Sequence, residues 1–381
     1  MKILHICTTQ YTDKWTYQEN LLAKYHRKMG HEVYLITSMY CYKDGVLTED
    51  TVNRFTDCNG VNIIRLQKKN SLLGAKLPSF EKFYETIEEV SPDLIFSHGC
   101  QYRDIACVAK YCKAHPECEL RVDNHADYIN SATNWLSKNI LHKKVWKHYA
   151  KKIYPYVKIW YGVTPARIDF LVDIYKIPRD KIRLLVMGAD DELVTEAIKP
   201  EKKAEIRRKY KIKDNDFLII TGGKITSAKR RVIDLMEAVN RINRENVKLI
   251  VFGSVSPELK DALEGQCSDK VQYIGWVESQ ESASYFAASD LVVFPGLHSV
   301  FWEQVVAVGV PMVCSHFSGM EHIDLGGNVR FLYGKDDEIY NTLLSILDDG
   351  SYPNMKKTAV EKGFETFTYS SIAAKTISEV I

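Results

Sequence analysis

Short runs of apolar residues alternate with longer stretches of helical periodicity along almost the whole chain. The runs 217–220 and 291–294 are apolar at every position, which suits a strand whose sheet is covered on both faces. The helical stretches between such runs indicate successive βα units, and these predict parallel sheets between helix layers. The predicted strands are 2–7, 31–37, 61–66, 93–98, 119–123, 157–163, 182–187, 217–222, 247–253, 271–276, 290–295, 311–315 and 329–333, and the clearest predicted helices are 17–29, 102–114, 229–244 and 336–347.

This number of strands is too large for one sheet of this kind, so we predict an α/β protein with two Rossmann-like, doubly wound domains. The 381 residues suffice for a core in each domain. The stretch 189–211 turns from acidic to strongly basic, and we place the crossing there. The predicted N-terminal domain is therefore 1–190 and the C-terminal domain 191–364, with a last helix at about 365–381 returning to the first.

Composition and charge exclude several classes of protein. The net charge of +2 gives no overall attraction to nucleic acid, and no run approaches 18 apolar residues. The chain opens directly on an apolar strand rather than on a signal peptide, and its nine cysteines form no CxxC pairs. We therefore expect a cytoplasmic protein, with peripheral attachment to the inner face of the cell membrane left open.

The segment most informative about function is 271–311. A predicted strand ends at Pro295, a polar turn follows, and a helix leads to Gly309. Backbone N–H groups at such a helix start favour phosphate, and a Glu or Gln there can bond the two hydroxyls of a ribose. On spacing alone, the alternative is an ordinary βα turn of any Rossmann-like domain.

This segment resembles the donor half of glycosyltransferase family 4, a retaining group with the GT-B fold. It carries Gly275-Trp276, a strand ending in Phe294-Pro295, an acidic or amide residue, and the Ala307-x-Gly309-x-Pro311 turn. The resemblance implies transfer of a sugar from a nucleoside-diphosphate donor to a glycan or lipid-linked hydroxyl, in polysaccharide or glycoconjugate synthesis. Weaker similarities fall in the family's order at 1–6, 30–33, 163–165, 186–190, 222–229 and 318–321.

The resemblance assigns the donor to the C-terminal domain. Lys224 and Lys229 would stabilise the negative charge that develops on the leaving phosphate, although the second could also belong to a solvated helix start. The family's two glutamates eight positions apart are not matched: ungapped counting puts Gln304 in the second place, and Glu303 is one residue off. Either side chain could hold the ribose. The other candidate donor-binding residues are Gly222, Gly223, His298, Ser299 and Glu321.

The resemblance also implies a histidine in the N-terminal domain that contacts the donor sugar, and His125 occupies that place after a predicted strand. The carboxyl ends of strands face the ligand crevice in such sheets. With Lys224 and Lys229 it completes the catalytic candidates, the alternative being a capping or core histidine. Asp127 could orient an acceptor hydroxyl or cap a helix. The further acceptor-side candidates are His98 and Trp15.

We expect no essential metal and no cofactor besides the donor substrate. The Asp214-Asn-Asp216 sequence matches the DxD pattern of metal-dependent glycosyltransferases. It stands in turn-type residues just before an apolar strand, where a structural role is the stronger interpretation.

The segment 135–160 is rich in lysine and aromatic residues and contains no acidic residue. A basic helix with interfacial aromatics suits an anionic membrane surface, which would bring the acceptor half to a lipid-linked glycan. The alternative is a solvated helix face whose aromatic side chains belong to the core.

Two other functions remain open at this stage. A sugar-nucleotide epimerase or hydrolase would use the same fold and turn over donor without an acceptor. A non-catalytic scaffold would explain the missing glutamates. A nicotinamide-dependent dehydrogenase is disfavoured, because no GxGxxG follows the first strand.

Overall fold

The computed structural model describes residues 1–43, 45–69 and 77–378. They divide into a first unit, Met1–Val186 joined by the chain from Ile372 onward, and a second unit, Met187–Ser371. Each unit is a parallel sheet with helices, so the predicted α/β class with two Rossmann-like domains is confirmed. The second unit runs to Ser371 rather than 364. Within the described residues, no helix has the length and apolar character needed to cross a membrane.

The first unit is built on an eight-stranded sheet with the order β10-β9-β8-β7-β1-β2-β6-β5, in which only β5 runs antiparallel to its neighbour. A separate hairpin, β3–β4, follows β2. The strands are β1 Lys2–Ile6, β2 Glu32–Ser38, β3 Tyr40–Lys43, β4 Val46–Glu49, β5 Arg54–Thr56, β6 Asn62–Leu66, β7 Leu94–Ser97, β8 Glu119–Val122, β9 Val157–Gly162 and β10 Ile182–Leu184.

Helices cover this sheet because its central strands are apolar on both faces; every residue of β7, for example, is buried. Segments of π and 3-10 helix extend the α-helices, the longest being the π-helical stretch Ser137–Trp146. The helices of this unit before the crossing are α1 Gln18–Lys28, α2 Phe83–Val90, α3 Ile105–Ala114, α4 Lys147–Ile153 and α5 Pro165–Phe170.

The second unit has a six-stranded, wholly parallel sheet with the order β13-β12-β11-β14-β15-β16. The strand sequence reverses between β11 and β14, the place where open α/β sheets bind ligands. Its elements are α6 Asp191–Ala197, α7 Pro200–Lys209, β11 Phe217–Gly222, α8 Arg231–Arg241, β12 Val247–Phe252, α9 Lys260–Glu264, β13 Val271–Tyr273, α10 Ser282–Ala288, β14 Leu291–Phe294, α11 Phe301–Ala307, β15 Met312–Ser315, β16 Val329–Leu332, α12 Glu338–Asp348 and α13 Tyr352–Phe367.

The last helix, α14 Tyr369–Ser378, carries the chain from the second unit into the first. From Ile372 it packs in the first unit, where Thr376 Oγ1 lies 2.7 Å from His26 Nε2. All thirteen predicted strands are present in the two sheets. The sequence analysis missed β5 and the β3–β4 hairpin, because their residues are half-exposed and carry no continuous apolar run.

Gly363 gives α13 its close approach to α11. A Cβ added there would lie 1.9 Å from the carbonyl oxygen of Val306, a backbone atom that cannot move alone. Alanine normally stabilises a helix interior by about 1 kcal/mol relative to glycine. Here the steric overlap reverses the sign, since overpacking costs about 1–3 kcal/mol.

We therefore expect Gly363→Ala to lower the urea midpoint of the second unit rather than raise it. Glu361→Ala, an exposed change on the same helix, is the matched control and should leave the midpoint nearly unchanged. A raised midpoint for Gly363→Ala would show that α13 and α11 are not in backbone contact.

Candidate functional site

Three loops share the carboxyl edge of the second sheet, because β11, β14 and β15 are parallel neighbours. The loop after β11 carries Lys229, and the loop after β14 begins at Pro295. A Cβ on Gly296 would lie 3.0–3.2 Å from Cγ, Cα and Cβ of Lys229, so these two loops are in contact. Burial lowers the pKa of the Lys229 ammonium group. Lys224 on the same loop is exposed.

The predicted glycines bring backbone segments together at this edge. A Cβ on Gly222 would overlap the ring of Phe252 at 2.3–2.5 Å, and Gly223 has a φ of +114°. Gly253, which the sequence analysis did not single out, approaches closest: its Cβ would lie 1.9 Å from the Gly223 carbonyl oxygen. Glycine at these places lets the ends of β11 and β12 lie side by side.

Glu303 is fully buried and is the centre of a hydrogen-bonded cluster. Its Oε1 lies 3.0 Å from His298 Nε2 and 3.0 Å from His322 Nε2. Burial alone would raise the pKa of this carboxyl, but the two imidazoles outweigh it and lower the pKa to about 2. His322 was missed by the sequence analysis, because no short-range pattern connects it to the turn at 298–303.

The remaining donor-site candidates lie around this cluster. Gln304 Oε1 is buried and has no hydrogen-bond partner among the described residues. The Ser299 hydroxyl accepts a hydrogen bond from the Phe301 N–H (3.3 Å) at the start of α11. Glu321 follows β15 and pairs with His316 at 3.0 Å.

The cluster of His298, Glu303 and His322 also has the side-chain chemistry to hold a metal ion, its ligand atoms lying within 4.8 Å of one another. The Nε2 atoms of both histidines lie at hydrogen-bond distance from the same oxygen, Glu303 Oε1, as expected for two N–H donors. Asp216, from the DxD sequence, accepts a hydrogen bond from the Lys213 N–H at 2.8 Å and closes a turn.

In the first unit, His125 and His98 meet at one carboxylate. Asp123 is fully buried, and its Oδ2 lies 3.2 Å from His98 Nδ1 and 3.4 Å from His125 Nε2. Burial would raise the pKa of Asp123, but the two histidines outweigh burial and hold it below its ordinary value. His125 is 41% exposed and His98 only 6%. Asp123 was overlooked, although it is two residues from His125.

Asp127 is engaged in local structure. Its Oδ1 accepts hydrogen bonds from the Ile129 and Asn130 N–H groups at 2.8 and 2.7 Å, and its Oδ2 lies 3.2 Å from Arg167 Nε. These contacts close a turn at 127–131 and cap no helix, because helical structure begins only at residue 135; the acceptor role of Asp127 stays a prediction.

The Trp15 ring stacks on Tyr42 with a centroid separation of 4.9 Å and meets Tyr17 edge-on at the same separation. Trp15 and Tyr17 lie on the loop between β1 and α1, and Tyr42 lies on β3. We call these three rings the aromatic platform, in which Tyr17 is 50% exposed.

The basic and aromatic segment 135–160 divides into two kinds of side chain. Trp146 and Trp160 are in the core, whereas Trp135 is 70% exposed and Leu136 57% exposed. Ile129, just before the segment, is also exposed. The exposed lysines of the segment are Lys143, Lys144, Lys151 and Lys152.

Residues 216–349 match the family described as Glycosyl transferases group 1. MJ1607, an uncharacterized glycosyltransferase of Methanocaldococcus jannaschii, is 26% identical over 228 residues, 57% of this chain and 58% of that protein. The D-inositol 3-phosphate glycosyltransferase of Stackebrandtia nassauensis is 25% identical over 191 residues, 46% of this chain and 42% of that protein. These matches span less than two thirds of either relative.

Among solved structures, HepE of Anabaena in complex with UDP is similar with a TM-score of 0.67 and 17% identity, over 100% of both chains. At this identity the similarity concerns the fold.

The Glu303 cluster makes a prediction about acid stability. Because the folded pKa is about 2 against an ordinary 4.5, the carboxylate contributes stability that is fully present above pH 4.5 and is lost as the pH falls toward 2. Glu303→Gln should cost about 2 kcal/mol at neutral pH, the worth of hydrogen bonds to a charged group.

Urea midpoints measured from neutral pH down through the range between those two values should show the difference between wild type and Glu303→Gln shrinking. Glu361→Gln, exposed on α13, is the control. A difference that stays constant through the acid range would mean that Glu303 is not ionised in the folded state.

Proposed function

We propose that this chain, whose residues 216–349 match the group 1 glycosyl transferases, is a retaining hexosyltransferase. It takes a sugar from a nucleoside-diphosphate donor and transfers it to a hydroxyl of a glycan or lipid-linked acceptor. We place this reaction in the synthesis of cell-surface polysaccharide or glycoconjugates. The observation that carries the proposal is the contact of Lys229 with Gly296 where the strand order reverses.

The loop contact supports a diphosphate site for electrostatic reasons. Burial of Lys229 makes its positive charge costly without an anion, and lowers its pKa accordingly. A diphosphate would supply that anion, and the ammonium group would stabilise the charge that grows on the leaving phosphate. Lys224 is more exposed than Lys229 and would contact the phosphate oxygens that lie closer to solvent.

The polar atoms behind this loop favour Gln304 over Glu303 as the ribose-binding group. The carboxylate is fully buried and its Oε1 already accepts from two imidazoles. Glu303 Oε2 and Gln304 Oε1 are both buried without a partner among the described residues, but Gln304 is only partly buried as a residue, and an amide can both donate to and accept from ribose hydroxyls. Glu303 would then hold the His298 ring beside the sugar.

The reaction we propose breaks the bond between C1 and the phosphate oxygen and forms a bond from C1 to the acceptor oxygen on the same face. The acceptor's hydroxyl proton passes to the leaving phosphate oxygen, so no protein nucleophile is required. The first unit would contribute His125 to the donor sugar and the aromatic platform of Trp15 to the acceptor. Neither step uses a metal ion.

The first experiment is a thermal-shift screen of UDP-, GDP-, ADP- and TDP-sugars, followed by turnover of the donor that binds. Lys229→Ala should lower kcat by about 100-fold, the usual cost of one transition-state charge partner. Arg230→Ala, an exposed cation next to it, should stay close to wild type, and EDTA should not slow the wild type.

The outcomes separate the alternatives. Equal loss in both variants would indicate a general charge effect of the helix start, and near-wild-type turnover of Lys229→Ala would reject its role. Donor consumption at the full rate without acceptor would identify an epimerase or hydrolase. Binding without any turnover would identify a scaffold.

We further propose that the exposed group of Ile129, Trp135 and Leu136 inserts at an anionic membrane surface. Apolar side chains of this size beside exposed lysines suit an interface of lipid headgroups. The buried Trp146 and Trp160 have no part in this, because they belong to the core.

Replacing Trp135 and Leu136 together by alanine should weaken binding to vesicles containing anionic lipid by about 10-fold or more, since each such side chain contributes about 1.5–3 kcal/mol on burial. Cosedimentation with vesicles measures this. Val360→Ala with Phe364→Ala removes an exposed apolar pair on α13 and is the control. Equal binding by both double variants would contradict the proposal.

A further inference from the structure

Three histidines and Asp123 form a continuous hydrogen-bonded chain inside the first unit. His98 Nε2 lies 3.1 Å from His5 Nδ1, and His5 Nε2 lies 3.0 Å from His26 Nδ1. His5 and His26 are fully buried. His98 Nδ1 lies 3.2 Å from Asp123 Oδ2. The hydrogen-bonded chain therefore runs from α1 and β1 to the carboxylate that also contacts His125.

The far end of the chain is on α14. His26 Nε2 lies 2.7 Å from Thr376 Oγ1 and 3.2 Å from the carbonyl oxygen of Ala373. The Thr376 hydroxyl also lies 2.7 Å from that carbonyl, to which it can donate. Helix α14 therefore contacts one end of the hydrogen-bonded network, and Asp123 forms the other end.

Each contact requires one donor and one acceptor, and this restricts the positions of the protons. Burial, followed by the neighbouring histidines, lowers the pKa of His5 well below its ordinary value, and burial lowers that of His26 to about 3. Both rings are thus neutral, with one N–H and one bare nitrogen each. They must then have the same tautomer, because opposite tautomers would place two donors or two acceptors face to face.

Two arrangements of the protons remain, and only one of them gives every contact one donor and one acceptor. If His5 and His26 carry their protons on Nδ1, the Thr376 hydroxyl can donate to the bare Nε2 of His26. That nitrogen then also faces the Ala373 carbonyl oxygen with no proton between them, and the hydroxyl no longer donates to Ala373. If both carry them on Nε2, His26 donates toward Ala373 and Thr376, and the Thr376 hydroxyl remains free to donate to Ala373. His98 must then donate from both nitrogens, to Asp123 and to His5.

The charges at the two ends favour the same order. Asp123 is ionised and buried at one end. At the other end Arg121 donates from Nη1 to the Thr376 carbonyl oxygen at 2.5 Å, and its positive charge acts against a second proton on His26. A proton shared along the chain is therefore most stable on His98.

We propose that His5, His26 and His98 are positioning residues: a proton-ordered chain, with His98 protonated on both nitrogens, fixes Asp123 and through it the ring of His125. The role in catalysis rests on the proposed function of His125. Asp123 Oδ2 accepts from both rings, so its orientation limits the direction in which His125 can point. Helix α14 thereby has a function, because its Thr376 forms one end of this hydrogen-bonded network.

The protons can be observed directly by long-range proton–nitrogen NMR on the intact protein labelled with 15N-histidine. We expect His5 and His26 both protonated on Nε2, and two protonated nitrogens on His98. Opposite tautomers of His5 and His26, or a neutral His98, would overturn the proposal. This measurement needs no donor, so it stands apart from the outcome of the transferase assay.

The functional test is His5→Phe, which keeps a buried ring but removes both hydrogen bonds of His5. It should abolish the second proton on His98 and lower kcat by about 10-fold, with donor KM within about twofold, as expected for a residue acting through another. His115→Phe makes the same change at a partly exposed ring that stacks on Tyr111, and should change neither quantity.

A second pair of variants covers the case in which His5→Phe fails to fold. Thr376→Ser keeps the hydroxyl at the end of the chain and should retain the wild-type tautomers and kcat, whereas Thr376→Val should lose the order at His26. Ser378→Ala, an exposed hydroxyl on the same helix, is the control. Identical spectra for Thr376→Ser and Thr376→Val would show that α14 does not set the proton order.

Discussion

Both sheets are covered by helices on their two faces, and this leaves the carboxyl ends of their strands as the places for polar chemistry. In the second unit the ends of β11, β14 and β15 bring the loops at 223–229, 296–300 and 316–323 to one edge. In the first unit the ends of β7 and β8 bring His98 and Asp123 together. The positions of all candidate residues follow from this one constraint of parallel pairing.

Each unit also carries a buried carboxylate that accepts from two imidazoles. Asp123 holds His98 and His125, and Glu303 holds His298 and His322. A buried charge without partners would cost several kcal/mol, so neither carboxylate can turn freely. The consequence is the same in both units. The less exposed histidine holds the carboxylate oxygen in place, and this oxygen in turn fixes the orientation of the more exposed histidine.

The sequence was sufficient for the strands, because apolar runs are local patterns, and for the resemblance to glycosyltransferases, because several motifs follow one another in the family's order along the chain. Continuous apolar runs identified every strand of the two sheets except β5, whose half-exposed residues have no such run. Lys229 and His298 were assigned to one donor site through the resemblance to the family's order of motifs. The contacts around Asp123 were not foreseen: His98 and Asp123 are 25 residues apart, and His5 and His98 are 93 residues apart. Only the strand order brings these residues into contact.

The departure from the family's glutamate pattern is compatible with the ribose role that we propose for Gln304. Glu303 is fully buried with Oε1 shared between His298 and His322, whereas Gln304 is only partly buried as a residue. The amide of Gln304, in the next position, carries no charge, so its desolvation without a ligand costs less free energy than that of a carboxylate. Gln304 therefore suits the ribose role that we propose for it, while the carboxylate of Glu303 holds the two imidazoles.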